Sequence, residues 1–232
     1  MHANRVHASP YEWPHEGALN PRTTALVIID MQRDFCEEGG YLTHQGYSVA
    51  PTRTIIPALQ SLLATFRRYD YAIFHTREGH RADLTDLPSR ELFRSRNNSS
   101  GLGIGDPGPL GRLLLRGEAG HDIIPELYPL PGEPIIDKPG KGAFTNTDFD
   151  FLLRVKGVRN LIICGVTTDV CVSTTMREAN DRGYDCLLVE DCCAASSATL
   201  HTAAVEMVKT EGGIFGAVAK AKDVIGVLDR ST

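Results

Sequence analysis

Apolar and polar positions fall in blocks along the chain. TALVIID at 24–30 is a nearly continuous apolar run closed by a carboxylate, and YAIFHT at 71–76, EPIIDK at 133–138, NLIICG at 160–165 and YDCLLVE at 184–190 repeat the design. A short IFGAV run at 214–218 adds a sixth strand-like segment. Between these runs apolar residues recur at helical spacing over 52–68, 147–156, 169–182, 198–210 and 220–228. Thr145, Asn146 and Thr147 offer caps for one of these helices, and Gly157 and Gly183 stand where two of them should stop. Strands apolar on both faces and separated by helices predict a mostly parallel sheet covered on both sides, an α/β, doubly wound, three-layer fold.

Residues 78–130 break the alternation, with Gly, Pro, Asn and Ser clustered in RNNSSGLGIGDPGPLG. A loop of that length inside a compact domain reads as an excursion over a functional cleft or as a contact surface. Residues 1–20 read as an N-terminal arm and 21–232 as one domain, since 232 residues suit a single core.

Composition removes several classes of function. Hydrophobic residues at 42% and charged residues at 23% are ordinary for a globular protein. A net charge of −5 without a basic run argues against nucleic acid and against an anionic membrane surface. The apolar runs are too short to span a bilayer and the start carries no apolar signal segment, so a cytoplasmic protein is expected. The six cysteines, two of them adjacent and several inside strand-like runs, suggest reduced thiols, with Cys192 and Cys193 packed at a strand end. There is no Cys-x2-Cys or His-x3-His spacing, and His75 and His80 are better read as hydrogen-bonding residues, so no metal is expected.

The candidate chemistry lies where apolar strands end. Asp30 closes TALVIID, Lys138 closes EPIIDK, and Cys171 follows NLIICG just inside a helix. Each alone suits a cap, a solvated strand end or a small buried hydrophobe. Together they would face one cleft at the carboxyl ends of a parallel sheet, where ligands bind. A thiol in a helix's first turn beside a lysine is expected to ionise readily, and an aspartate can accept and return its proton. Asp169 and Glu190, near the same strand ends, read as caps or solvated groups.

These segments resemble the isochorismatase-like cysteine hydrolases. VIIDMQRDF, DKPGKGAF and GVTTDVCVSTTMREANDRGY match the family's Asp, Lys and Cys segments in order, and the resemblance runs from about Thr24 to about Leu228. It implies a catalytic triad of Asp30, Lys138 and Cys171. It also implies a non-proline cis peptide at Val166–Thr167 and an oxyanion hole made by the amides of Thr167 and Cys171. The family resemblance and the long excursion suggest a homo-oligomer, with a tetramer as the expected size. The Asp-x-His…His metal set of nicotinamidases is not reproduced by HTREGH.

Within the family the chain resembles biuret and triuret hydrolases, through HTREGHRADLTDLP, GIGDPGPLGR, GHDIIPELYP and EDCC. The implied reaction removes a terminal carbamoyl group from a small uncharged ureide, releasing ammonia without a cofactor. Phe35 is expected to wall the pocket, Lys141 to donate to a substrate carbonyl, and Glu211 to accept substrate N–H groups, tilting the choice toward triuret. Alternatives are an amidase for another ureido or carbamoyl compound such as ureidoacrylate or N-carbamoylsarcosine, the vinyl-ether hydrolysis of isochorismatase, or a non-catalytic interaction protein. A carboxylate-bearing substrate would call for a clamp from Arg77 or Arg81.

Overall fold

The structure, a computed structural model, describes residues 4–230; positions 1–3 of the expected arm and 231–232 of the expected domain lie outside the described residues. The strands in chain order are β1 (Thr24–Ile29), β2 (Ala72–Glu78), β3 (Pro107–Gly108), β4 (Gly111–Arg112), β5 (Ile135–Lys138), β6 (Asn160–Val166), β7 (Asp185–Ala194) and β8 (Ala217–Ala219). Six form one sheet in the order β5-β2-β1-β6-β7-β8, every pair parallel, while β3 and β4 make a separate antiparallel hairpin. β1 is fully buried, which is why its sequence is apolar on both faces.

The helices are α1 (Arg33–Cys36), α2 (Tyr41–His44), α3 (Ala50–Thr54), α4 (Ile56–Arg68), α5 (Ser89–Arg96), α6 (Phe149–Val155), α7 (Ser173–Asp181), α8 (Ala198–Gly213) and α9 (Ala221–Arg230). From β1 the chain steps outward through β2 to β5, then crosses back to β6 and steps the other way. Right-handed crossovers therefore put α4 on one face and α6, α7 and α8 on the other. The point where the direction reverses lies between β1 and β6, and ligands of such sheets bind there, beyond the carboxyl ends of the strands.

Several boundaries differ from expectation. The helix expected over 52–68 is two helices broken at Ile55, because Pro57 lacks an N–H and its ring would clash with the preceding turn of a continuous helix. β2 continues two residues past Thr76, to Glu78. The helix expected from 169 begins as a π-type turn over Thr168–Val172 before α7. In α8 the helical dihedrals fail at Thr210, Glu211 and Gly212, so the last residues form a left-handed turn.

The 78–130 excursion contains α5 and the β3–β4 hairpin, and it is fastened to the segment after β1. Gln32 bridges Ile123, Arg33 N–H donates to the Asp122 carbonyl at 3.0 Å, and Asp34 N–H donates to the Gly120 carbonyl at 2.8 Å. The buried Asp34 carboxylate accepts the N–H groups of Tyr41 and Leu114 at 2.9 and 3.0 Å, and burial pushes its pKa up to about 6. At the other edge the arm shields β8, with Ser9 and Val218 exchanging two backbone hydrogen bonds. Among the described residues no helix is long and apolar enough to cross a membrane.

Gly165, near the end of β6, is opposite Ile29 and has φ of +109°. A Cβ there would overlap the Ile29 carbonyl, which precedes Asp30. Gly165→Ala is therefore expected to cost about 3 kcal/mol or more in urea unfolding, through both strain and overlap. A loss below about 1 kcal/mol would show that β1 and β6 can separate freely at this point.

Candidate active site

The site starts from strand register. Glu78 on β2 is the direct partner of Lys138 on β5, and Arg77 is the partner of Asp137. Neighbours along a strand point to opposite faces, so two oppositely charged cross-strand pairs form, one on each face. Arg77 grips Asp137 through two nitrogens at 2.7 and 3.1 Å, near solvent. Glu78 and Lys138 point inward and are buried.

Lys138 is the hub. Its ammonium lies 2.7 Å from Asp30 Oδ2, donates to the Gly140 carbonyl at 2.8 Å and stands 3.6 Å from Glu78 Oε2. Asp30 has φ of 49°, in the left-handed region, and Thr76 holds it there. The Thr76 hydroxyl accepts the Asp30 N–H at 3.1 Å and donates to Asp30 Oδ1 at 2.5 Å. Cys171, in the π-type turn beyond β6, is only 4% exposed, and its thiol donates to Glu78 Oε2 at 3.3 Å. The structure thus brings Asp30, Lys138 and Cys171 together and adds Glu78 as a fourth member. The Val166–Thr167 peptide is cis, and the Thr167 carbonyl accepts the N–H groups of Val170 and Val172.

The electrostatics correct one expectation. Burial pushes the Cys171 thiol well above its ordinary range; Lys138 opposes this, but Asp30 and Glu78 add to it. Loss of solvation and two carboxylates outweigh one ammonium, so the folded site favours the protonated thiol. Burial also raises Asp30 against the pull of Lys138, leaving it a stronger base than an ordinary aspartate. For Glu78 burial pushes upward, yet Lys138 and Lys141 together hold it below the usual carboxylate range. Asp30, Glu78 and Cys171 present ligand atoms within 4.8 Å of one another, but the Lys138 ammonium already supplies the positive charge between them.

The remaining expected residues divide. Lys141 reaches the site, with Nζ 3.2 Å from Glu78 Oε1 and 2.9 Å from Glu91 Oε2. Glu91 also binds Arg94, which meets the Tyr41 hydroxyl, and Phe35 packs edge-on against Tyr41 with centroids 6.2 Å apart. Phe35 therefore stands at the outer end of the same chain of contacts. Glu211 does not reach the site. The amino end of α8 lies near Cys171, where His201 meets the Thr168 hydroxyl at 2.9 Å. From His201 the regular helix runs to Lys209, roughly 12 Å along the axis toward the amino ends of the strands, and the left-handed turn that follows leaves Glu211 exposed there. Arg77 is occupied by Asp137, and Arg81 is exposed 3.8 Å from Asp83. His75 pairs with Glu133 at 3.0 Å and His80 with Asp86 at 3.3 Å, so the two share no partner. Glu190 lies 3.9 Å from Lys220, and all six cysteines are free and buried.

Glu78 and its support were missed from sequence. The signal was a polar residue closing a strand, as at Asp30 and Lys138, but the half-buried Arg77 ends the apolar run two residues early. Gln32 supports Glu78 by accepting its N–H at 2.7 Å and donating to its carbonyl at 3.0 Å.

Known proteins resemble this chain over most of its length. The isochorismatase domain family matches residues 24–222, and the chain belongs to that family. It is 30% identical over 199 residues to the ureidoacrylate amidohydrolase RutB of Azorhizobium caulinodans, covering 84% of this chain and 87% of that protein. The RutB of Pantoea ananatis is 29% identical over 223 residues, covering 92% and 86%. A cysteine hydrolase from Pseudomonas syringae pv. phaseolicola 1448A superposes with a TM-score of 0.79 at 27% identity, over 100% of both chains.

Lys138→Met would leave the buried Asp30 carboxylate without its cation and Glu78 with Lys141 alone, which should cost about 3–5 kcal/mol at pH 7. The sign of the pH dependence follows from Asp30. Its folded pKa is raised, so the folded state binds more protons than the unfolded chain, and the variant should regain stability as pH falls from 7 toward 5. Urea unfolding at the two pH values checks this; a variant within 1 kcal/mol of wild type at pH 7 would contradict it.

Proposed function

We propose that the protein is a cysteine amidohydrolase that cleaves the terminal carbamoyl C–N bond of a small neutral ureide through a thioester on Cys171. The observation that supports this best is one buried cluster placing the Cys171 thiol among Asp30, Lys138 and Glu78. A nucleophile, a base of raised proton affinity and a fixed cation are what acyl transfer from an amide requires.

Asp30 takes the Cys171 proton as sulfur bonds to the carbamoyl carbon, so no free thiolate needs to accumulate in the resting site. The amides of Thr167 and Cys171 receive the oxyanion, an interaction whose loss commonly costs about 3–4 kcal/mol. The C–N bond then breaks, nitrogen takes the proton from Asp30, and ammonia leaves. Water, deprotonated by Asp30, attacks the thioester, releasing a carbamic acid and restoring the thiol. These steps call on no cofactor.

A neutral substrate is favoured because, of the two expected carboxylate clamps, Arg77 is already committed to Asp137 and Arg81 is exposed beside Asp83. Biuret and triuret both suit this chemistry. The expected tilt toward triuret depends on Glu211, which within one chain lies away from the cleft and could reach a site only from a second copy. The second reading is a carboxylated ureide, supported by the relatives named for ureidoacrylate.

Ammonia release should be measured from biuret, triuret, N-carbamoylsarcosine and ureidoacrylate. A linear neutral ureide is expected to give the highest kcat/KM, and Cys171→Ala should lower it at least about a thousandfold while leaving the circular dichroism spectrum unchanged. Preference for ureidoacrylate would establish the second reading. Retention of a tenth of the rate by Cys171→Ala would remove the covalent route.

A further inference from the structure

We propose that Glu78 is a fourth catalytic residue: its Oε2 gives up the Cys171 S–H as the thiol proton moves to Asp30, then accepts an N–H of the carbamoyl nitrogen that leaves as ammonia. The inference rests on the amidohydrolase reading and deepens it, assigning the group that recognises the leaving nitrogen.

Glu78 is buried, at 3% exposure, and its backbone is fixed on both sides by the Gln32 side chain. Its two oxygens have different tasks. Oε1 faces Lys141 at 3.2 Å, while Oε2 faces the sulfur at 3.3 Å with Lys138 at 3.6 Å. Once the thiol proton has moved to Asp30, Oε2 confronts a developing thiolate, and two anions at that distance repel unless a donor enters between them. A carbamoyl carbon bonding to the sulfur carries its NH2 nitrogen about 1.3 Å away, which brings an N–H within reach of Oε2. The S–H···O bond is thus exchanged for an N–H···O bond as attack proceeds. Lys141 and Lys138 keep Glu78 charged, so it holds the nitrogen while Asp30 moves the proton. No proton is assigned to Glu78; the balance of the reaction is unchanged.

The arrangement selects for a leaving group that bears N–H. It also makes glutamine a poor substitute. Lys141 requires an oxygen on its side, so the amide nitrogen of Glu78→Gln is turned toward Cys171 and meets the substrate NH2 donor to donor.

The test compares Glu78→Gln with wild type on biuret, whose leaving group is ammonia, and on p-nitrophenyl acetate, whose leaving oxygen has no N–H. Iodoacetamide labelling of Cys171 at pH 7 reads the nucleophile independently of either substrate. The expected result is a loss of about 100-fold or more in kcat/KM for biuret, a loss under about threefold for the ester, and labelling at or above the wild-type rate, since Glu78 disfavours the thiolate. Equal losses on both substrates together with slowed labelling, or undiminished biuret hydrolysis, would overturn the role of Glu78 and leave the amidohydrolase reading standing. A wild-type protein that cleaves the ester but releases no ammonia from any ureide would overturn that reading and this inference with it. Glu78→Asp, which keeps the charge but withdraws it by one methylene, serves if the Gln variant does not fold; the same selective loss, smaller in size, is expected, and a non-selective loss overturns the proposal.

Discussion

The structure depends on one buried ammonium. Lys138 is the cation that lets Asp30 and Glu78 stay inside the protein, and it ties together the carboxyl ends of β1, β2 and β5. Burying a carboxylate without a partner costs several kcal/mol, and here two lie beside one thiol. Lys141 adds the second positive charge, so the two inner acids face two bases, and the network continues outward through Glu91 and Arg94 to Tyr41. The same balance favours the protonated form of the Cys171 thiol, which lies buried beside two carboxylates.

The rest of the fold delivers these groups to one place. The reversal of strand order sets the ends of β1 and β6 side by side, bringing Asp30 and the Cys171 turn into the same cleft. Close approach of the two strands at their ends needs a residue without a side chain at Gly165. The excursion is fastened by the segment that follows Asp30, because Gln32 and Asp34 hold both the excursion and Glu78. The cover of the site and its chemistry are therefore coupled through the first few residues beyond β1.

Much of this was legible in the sequence because buried parallel strands are apolar on both faces and a polar residue at their end is conspicuous. Asp30 and Lys138 stand out in that way. Glu78 does not, since its neighbour Arg77 is polar for a different reason: it pairs across the sheet with Asp137, a residue 60 positions away. The upward push on the Cys171 thiol was not legible, because a lysine nearby is visible in sequence, whereas burial beside two acids is a property of the folded site. Glu211 was misplaced through topology. A residue at the end of a helix that leads into a parallel strand lies at that strand's amino end, opposite the catalytic face. The break at Ile55, by contrast, could have been read from Pro57.

The central claim is that Cys171 becomes acylated by the carbamoyl group it attacks. Mixing the protein with excess biuret, quenching in acid within the first turnovers and determining the mass of the Cys171 peptide tests it directly. The account predicts a peptide heavier by the acyl group left after loss of ammonia, absent from Cys171→Ala and present at a level that tracks turnover. Steady ammonia release with Cys171 unmodified at every quench time, and with Cys171→Ala still active, would contradict it.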